Sequence, residues 1–215
     1  MRAAIDALVV ADPRLARIEA AAGPLPWRVR PEGFPGLLQI VMGQQISNAA
    51  ALAIWLRLAA LPGALDPAGF LTLEDAALRG AGLSRPKVSH ARSLASAFVD
   101  GRLSSAALAA APDADALAAI TTVRGLGPWT AEVYLLFALQ RVDVFPAGDI
   151  AVAGAAADIL GLPTRPDPKL LRTLAEVWRP NRALAARLLW HHWRGLTGRP
   201  SFDDRVIQPA FTSPG

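Results

Sequence analysis

A chain of 215 residues, 53% hydrophobic and only 19% charged, can bury a sizeable core in one large domain or two small lobes. It has no cysteine, which excludes disulfides, thiolate chemistry and cysteine-held zinc or iron–sulfur clusters. The net charge is +4, from 22 basic against 18 acidic side chains, and nearly all the basic ones are arginine, whose planar fork suits phosphate.

No apolar run reaches the roughly 18 residues of a membrane span, and the N-terminus lacks signal-peptide order, so a soluble cytoplasmic protein is expected. Alanine and leucine dominate while β-branched runs are scarce, which predicts an all-α fold. Residues 1–22 read as one or two helices, with Asp12-Pro13 as a cap and first-turn pair. A Pro/Gly-broken loop over 23–33 carries Trp27, Arg28 and Arg30. Helical spacing of Leu37, Leu38, Ile40 and Val41 predicts a helix over 34–45, and Ser47 caps another running to about residue 60. The junction between them, Gly43-Gln44-Gln45-Ile46-Ser47, holds two adjacent amides that need partners if buried, and a plain polar helix end accounts for them equally well.

Residues 62–69 read as a break, after which Thr72, with Asp75 three positions on, is expected to cap a short helix to Arg79. A long helix starts in Gly82-Leu83-Ser84-Arg85-Pro86-Lys87 and stops at Asp100-Gly101, with Lys87 and Arg92 either solvated or touching phosphate. Short helices follow over 104–111 and 112–123, then one after Asp149 as far as Gly161, and others near 169–178 and 182–194. About ten helices are expected, with an irregular tail over 198–215.

Residues 120–149 carry the most information. Gly125-Leu126-Gly127 separates two helical patterns, and glycine there permits positive φ and the close approach of another backbone. Pro128 suits the first turn of the second helix, and the N–H groups of such a helix–hairpin–helix can hold a phosphate. Asp149 follows Phe145-Pro146-Ala147-Gly148 at the start of a helix, where it reads equally as an ordinary N-cap or as a charged group with a chemical task.

Gly125-Leu126-Gly127-Pro128-Trp129-Thr130-Ala131 followed by Asp149 resembles the helix-hairpin-helix DNA glycosylase superfamily, and most of all its 3-methyladenine DNA glycosylase II branch. Three more blocks resemble that family in the same order: Phe34–Ser47, Gly82–His90, and Trp178-Arg179-Pro180 through Trp190. The resemblance implies two helical lobes with a cleft between them and the hairpin at its mouth. It divides the chain into an N-terminal helical and loop segment (1–33), a glycosylase core (34–197) and the tail (198–215), without the β-rich domain that precedes the core in some relatives.

The family's chemistry implies a role for each matched residue. Gly125, Gly127 and Thr130 would grip the DNA backbone, with a sodium or potassium ion at the hairpin carbonyls and no other cofactor. Gln45 would enter the gap left by a flipped base, supported by Gln44. Asp149 would stabilise the oxocarbenium-like sugar and direct water to it. Relatives that also nick the strand place a lysine where this chain has Trp129, which cannot form a Schiff base; hydrolysis alone is therefore expected. Trp129 would stack on a cationic alkylated purine, with Phe34 also at the base pocket. The chain departs from the pattern at Val133 and Asn181, where some relatives have further pocket aromatics, and Tyr134 or Trp27 are candidates to replace them. Trp178 and Trp190 are expected in the core, and Arg179, Arg182 and Arg187 either on a basic rim or simply at the surface. No His, Asp and Glu grouping has metal-ligand spacing. The expected protein is a monomeric glycosylase acting on damaged double-stranded DNA. The alternatives are the same chemistry on etheno, deaminated or ring-methylated bases, and a non-catalytic damage-binding module.

Overall fold

The computed structural model describes Met1–Gly198, so the tail expected beyond Gly198 lies outside the described residues. Those residues form helices and no strand, as an all-α fold requires. In chain order come α1 (Arg2–Ala11), a 3-10 turn (Pro13–Leu15), α2 (Ala16–Ala22), α3 (Gly33–Gly43), α4 (Asn48–Ala59), α5 (Pro67–Thr72) and α6 (Asp75–Gly80). Then follow α7 (Arg85–Val99), α8 (Ser105–Ala110), α9 (Asp113–Thr121), α10 (Pro128–Phe137), α11 (Ile150–Leu160), α12 (Pro168–Leu174), a second 3-10 turn (Ala175–Trp178) and α13 (Arg182–Thr197). None of the helices is long and apolar enough to cross a membrane.

The chain forms two compact units, one of them Arg28–Leu139 and the other Met1–Trp27 together with residues 140–198. In the first, α3 is the central helix. Nine of its eleven residues are buried, which is why its sequence is apolar on nearly every face. It packs against α4, α7 and α10, while α7 also packs on α5. The Phe34 ring meets Phe70 and Phe98 edge-on, at centroid distances of 5.7 and 6.0 Å.

The α5 region of this unit corrects one expectation. Residues 62–69 are not simply a break, and Thr72 does not cap the helix expected to run to Arg79, which is α6 and starts at Asp75 after Glu74 with no side-chain cap bond. Asp66 caps α5 instead, its Oδ2 accepting from the Gly69 N–H at 2.7 Å, with Pro67 in the first turn. Thr72 ends that helix and donates its hydroxyl to the Gly69 carbonyl at 2.8 Å. Proline's fixed φ and missing N–H make Asp-Pro the stronger start signal.

Lys87 and Arg92 are neither simply solvated nor waiting for a phosphate, because both bind main-chain carbonyls. Lys87 Nζ donates to the Met42 carbonyl at 2.5 Å, closing the C-terminal end of α3, and burial pushes its pKa below the usual lysine value. Arg92 donates to the Leu71 and Leu73 carbonyls at 3.1 and 2.6 Å and to Asp75 Oδ1 at 2.6 Å, which ties α7 to the end of α5.

In the second unit α13 packs against α11, α2 and α1. Ala153, Ala155 and Ala156 on α11 and Ala183, Ala185 and Ala186 on α13 are all buried, and such small side chains let helix axes approach closely. Asp12, only 2% exposed, anchors the N-terminal segment. Its carboxylate accepts from Trp178 Nε1 at 3.0 Å and from the Arg14 Nε at 2.7 Å, besides capping the 3-10 turn through the Arg14 N–H. Trp178 is fully buried against Phe145, as expected of a core residue.

Burial alone would raise the Asp12 pKa, but hydrogen bonds from Arg14 and Trp178, with the Arg14 charge, hold it below the usual aspartate value. A depressed folded pKa gives stability that is present above about pH 4 and lost as pH falls through the folded value. Asp12→Ala is expected to lower unfolding stability by about 2–3 kcal/mol at neutral pH, since it strands the buried indole N–H. In urea titrations the gap between the two proteins should narrow as pH drops from about 7 toward 3; a gap independent of pH would contradict the ionised assignment.

Candidate functional site

The hairpin lies within the unit Arg28–Leu139. After α9 the chain tightens through hydrogen bonds from Val123 N to the Ile120 carbonyl and from Leu126 N to the Val123 carbonyl, at 3.1 and 3.0 Å. Gly125 has φ +88°, and a Cβ there would lie 2.2 Å from Cγ of His90 on α7. Both backbone and space therefore demand glycine, and the group approaching so closely is an imidazole rather than a second backbone. Gly127 is different, with φ −91° and ψ 179° and nothing within 4 Å of a Cβ. It is the N-cap of α10, with Pro128 in the first turn, and as glycine it brings no side chain to the amides that start the helix. That leaves the helix N-terminus suited to an anion.

Trp129, the second residue of α10, is half-buried. Thr130 does not offer its hydroxyl to solvent, as a phosphate contact would need. It faces the core at 1% exposure and accepts from Gln44 Nε2 at 2.9 Å. The glutamine junction and the hairpin helix are thereby joined directly, a contact between residues 86 apart that no local pattern announces. Gln44 thus has the partner a partly buried amide needs. Gln45 is exposed and adopts φ +58°, a left-handed conformation uncommon for a residue with a side chain. Ser47 caps α4 as expected, accepting from the Ala50 N–H at 3.3 Å.

Asp149 belongs to the other unit and caps α11. Its Oδ1 accepts from the Ala151 and Val152 N–H groups at 2.8 and 2.9 Å, and its own N–H donates to the Pro146 carbonyl at 2.9 Å. The carboxylate is held in one orientation at the positive end of a helix. It is half-exposed, between the buried Ala147 and the exposed Ile150.

The remaining candidates have other roles. Phe34, expected at a base pocket, is 2% exposed and meets the fully buried Phe70 and the half-buried Phe98 edge-on, so its ring is taken up by packing. Tyr134 is fully buried, and its hydroxyl oxygen accepts from the Gly33 N–H at 2.7 Å; burial raises its pKa. Val133 is buried as well. Trp27 keeps a face toward solvent while the nearly buried Arg187 guanidinium lies 4.2 Å from its ring centroid, a cation–π contact rather than a place on a rim. Arg179 and Arg182 are neutralised by Asp143 and Glu176; Arg182 Nε meets Asp143 Oδ1 at 2.9 Å and Arg179 Nε meets Glu176 Oε2 at 2.7 Å. Sequence reasoning passed over all three histidines. His90 seats the hairpin, His191 contacts the Gly23 carbonyl at 3.0 Å, and His192 contacts Asp158 at 2.6 Å. No group of three or more His, Asp or Glu among the described residues could hold a metal.

A family model described as HhH-GPD superfamily base excision DNA repair protein matches residues 38–180. The chain belongs to this superfamily. Membership makes it a base excision repair protein, and its relatives set it on the 3-methyladenine glycosylase branch. It is 28% identical over 163 residues to DNA-3-methyladenine glycosylase 1 of Schizosaccharomyces pombe, covering 74% of this chain and 72% of that one. The solved structure of the S. pombe 3-methyladenine DNA glycosylase in complex with abasic-DNA superposes with a TM-score of 0.80 at 26% identity, over 89% of this chain and 95% of that one. The crystal structure of a DNA-3-methyladenine glycosidase from Bacillus halodurans gives a TM-score of 0.74 at 28% identity, over 95% of each. The matched stretch spans α10, with Trp129 and Thr130, and extends past Asp149.

The unlike surroundings of the two hairpin glycines have a measurable consequence. Gly125→Ala is expected to destabilise the chain by about 2–4 kcal/mol, from left-handed strain together with overpacking against His90. Gly127→Ala should change stability by less than about 1 kcal/mol. Urea unfolding of both variants checks this, and equal losses would refute the assigned geometry.

Proposed function

We propose that the chain is a monofunctional DNA glycosylase that flips an alkylated purine of the 3-methyladenine or 7-methylguanine type out of double-stranded DNA and hydrolyses its N-glycosidic bond. Support comes from relatives named for that activity and from a solved relative bound to abasic-DNA. The observation that carries the hydrolytic reading is Trp129, an indole with no nucleophilic nitrogen, at the position where a strand-nicking relative has lysine.

The reaction divides among the residues as follows. Extrusion of the nucleotide costs a few kcal/mol, offset by backbone grip and by side chains that stand in for the lost stacking. The start of α10, with Gly125 and Gly127, grips a phosphate through main-chain N–H groups. Residues 120–130 contain no carboxylate, so their carbonyls form a neutral oxygen set that suits sodium or potassium better than a divalent ion. Such an ion would lie at the hairpin carbonyls and add positive charge beside the phosphate. Gln45, exposed and already in a left-handed conformation, enters the gap, and Gln44 holds its loop to Thr130.

The half-buried Trp129 offers its ring face to the flipped base, an interaction strengthened by the positive charge of an alkylated purine. The C1′–N bond then breaks, and the departing base takes the bonding pair and leaves neutral. The Asp149 carboxylate, at the start of α11, stabilises the cationic sugar and accepts the proton of the water whose oxygen bonds to C1′. The products are a free base and an abasic site. The chain acts as a monomer, with no organic cofactor.

Asn caps helices as well as Asp does, so Asp149→Asn removes the charge and keeps the cap. Release of free base from methylated duplex DNA should fall by about 10²–10³-fold while the thermal midpoint stays within about 2 °C. Unchanged release would end the assignment of Asp149. Sodium borohydride should trap no covalent complex between the wild-type chain and DNA, and a trapped complex would refute the monofunctional reading.

A further inference from the structure

An open groove of about 900 Å³ lies in the unit Arg28–Leu139 along the outer face of α7. Arg79, Arg85, Arg92, Arg102 and Arg124 line it, with Asp75 as its one carboxylate. Arg92 is spent on Asp75 and on the end of α5, and Arg102 lies 3.3 Å from Asp100. Arg79, Arg85 and Arg124 are exposed and have no carboxylate partner among the described residues. Three uncompensated guanidiniums in one concave surface make a site for a polyanion rather than a solvated face of mixed charge.

The pattern along α7 narrows the choice of anion. Arg85, Ser89, Arg92 and Ser96 lie in the groove wall at spacings of four, three and four residues, a single stripe of the helix. At 1.5 Å per residue the stripe is roughly 16 Å long, the axial length over which one strand of a duplex presents about five phosphates. Arg92 itself is committed to α5 and Asp75, so along this stripe Arg85 brings the charge and Ser89 and Ser96 bring hydroxyls, which are common donors to phosphate oxygens. Thr122, Val123 and Arg124 form part of the same wall, and these residues lead directly into Gly125 of the hairpin. The groove is therefore continuous with the phosphate grip.

We propose that this arginine groove is a second phosphate track, which carries the DNA backbone beyond the hairpin and holds the duplex flanking the damaged base. The proposal rests on the reading of the chain as a DNA glycosylase. The contacts are with phosphate alone and do not depend on sequence or on damage. The groove sets affinity and salt dependence, and leaves base choice to residues elsewhere.

The test compares the full-length wild-type chain with a triple variant, Arg79→Ala, Arg85→Ala and Arg124→Ala, binding undamaged duplexes of about 25 and about 8 base pairs, the shorter one unable to fill both hairpin and groove. On the long duplex the variant should bind about 10–100-fold more weakly, with a log–log salt slope shallower by about two to three. On the short duplex the loss should be under about threefold. A matching triple change to lysine should restore most of the affinity, because a phosphate track needs charge more than the guanidinium fork. Circular dichroism identical to wild type establishes that the variants are folded. Equal losses on both duplexes, no loss on either, or failure of lysine to rescue would overturn the groove. Release of methylated base by the wild-type chain separates the two readings: release without length-dependent binding defeats the groove alone, and length-dependent binding without release defeats the glycosylase reading alone.

Discussion

The His90 imidazole occupies the space that a Cβ at position 125 would need. That contact sets the hairpin against α7, and much of the unit follows from it. The chain turns at Gly125, Gly127 starts α10, and the inward face of α10 brings Thr130 to Gln44 and Tyr134 to Gly33. One steric requirement thus propagates through a helix to both ends of α3. The same α7 carries Arg92 and Lys87, which bind the carbonyl ends of α5 and α3. These links explain why a small unit of short helices holds one hairpin geometry, since isolated helices of six to ten residues are marginal without tertiary contacts.

Aspartates do most of the capping, and their resemblance to one another is instructive. Asp66, Asp149 and Asp167 each accept from main-chain N–H groups at the start of a helix. Asp149 accepts from two such groups and the other two from one each, and capping geometry by itself assigns none of the three a chemical task. What distinguishes it is its place in a family pattern, after Gly125-Leu126-Gly127-Pro128-Trp129 and within the matched stretch. A cap also serves such a residue well, because its hydrogen bonds hold the carboxylate in one orientation.

The arginines show how little a count of charges says about a surface. Arg14, Arg92, Arg179 and Arg182 are held by carboxylates, and Arg187 lies beneath an indole. The exposed ones among them, such as Arg179 with Glu176 and Arg92 with Asp75, add little stability. They do remove positive charge from places where the sequence alone permits a basic rim. The uncompensated guanidiniums of Arg79, Arg85 and Arg124 gather instead in the groove beside the hairpin.

Local rules made much of the molecule legible. Alanine and leucine without β-branched runs meant helices, while Asp12-Pro13, Ser47, Pro128 and Asp149 marked their starts, because capping and proline's fixed φ act over three or four residues. The same rules misread Thr72, which ends α5 instead of capping α6, and passed over Asp66-Pro67, which starts α5. The hairpin motif and the missing lysine at 129 were likewise present in the order of residues and needed no coordinates. Burial was not. Whether Phe34 or Tyr134 faces a ligand or the core, whether Thr130 points outward, and that Met1–Trp27 joins residues 140–198 depend on contacts between residues far apart in sequence. The sequence by itself determined the helices, the hairpin and the chemistry open to Trp129 and Asp149, since these follow from backbone preference and functional groups. Only the tertiary structure decided which polar and aromatic side chains remain accessible, since accessibility depends on what packs against each one.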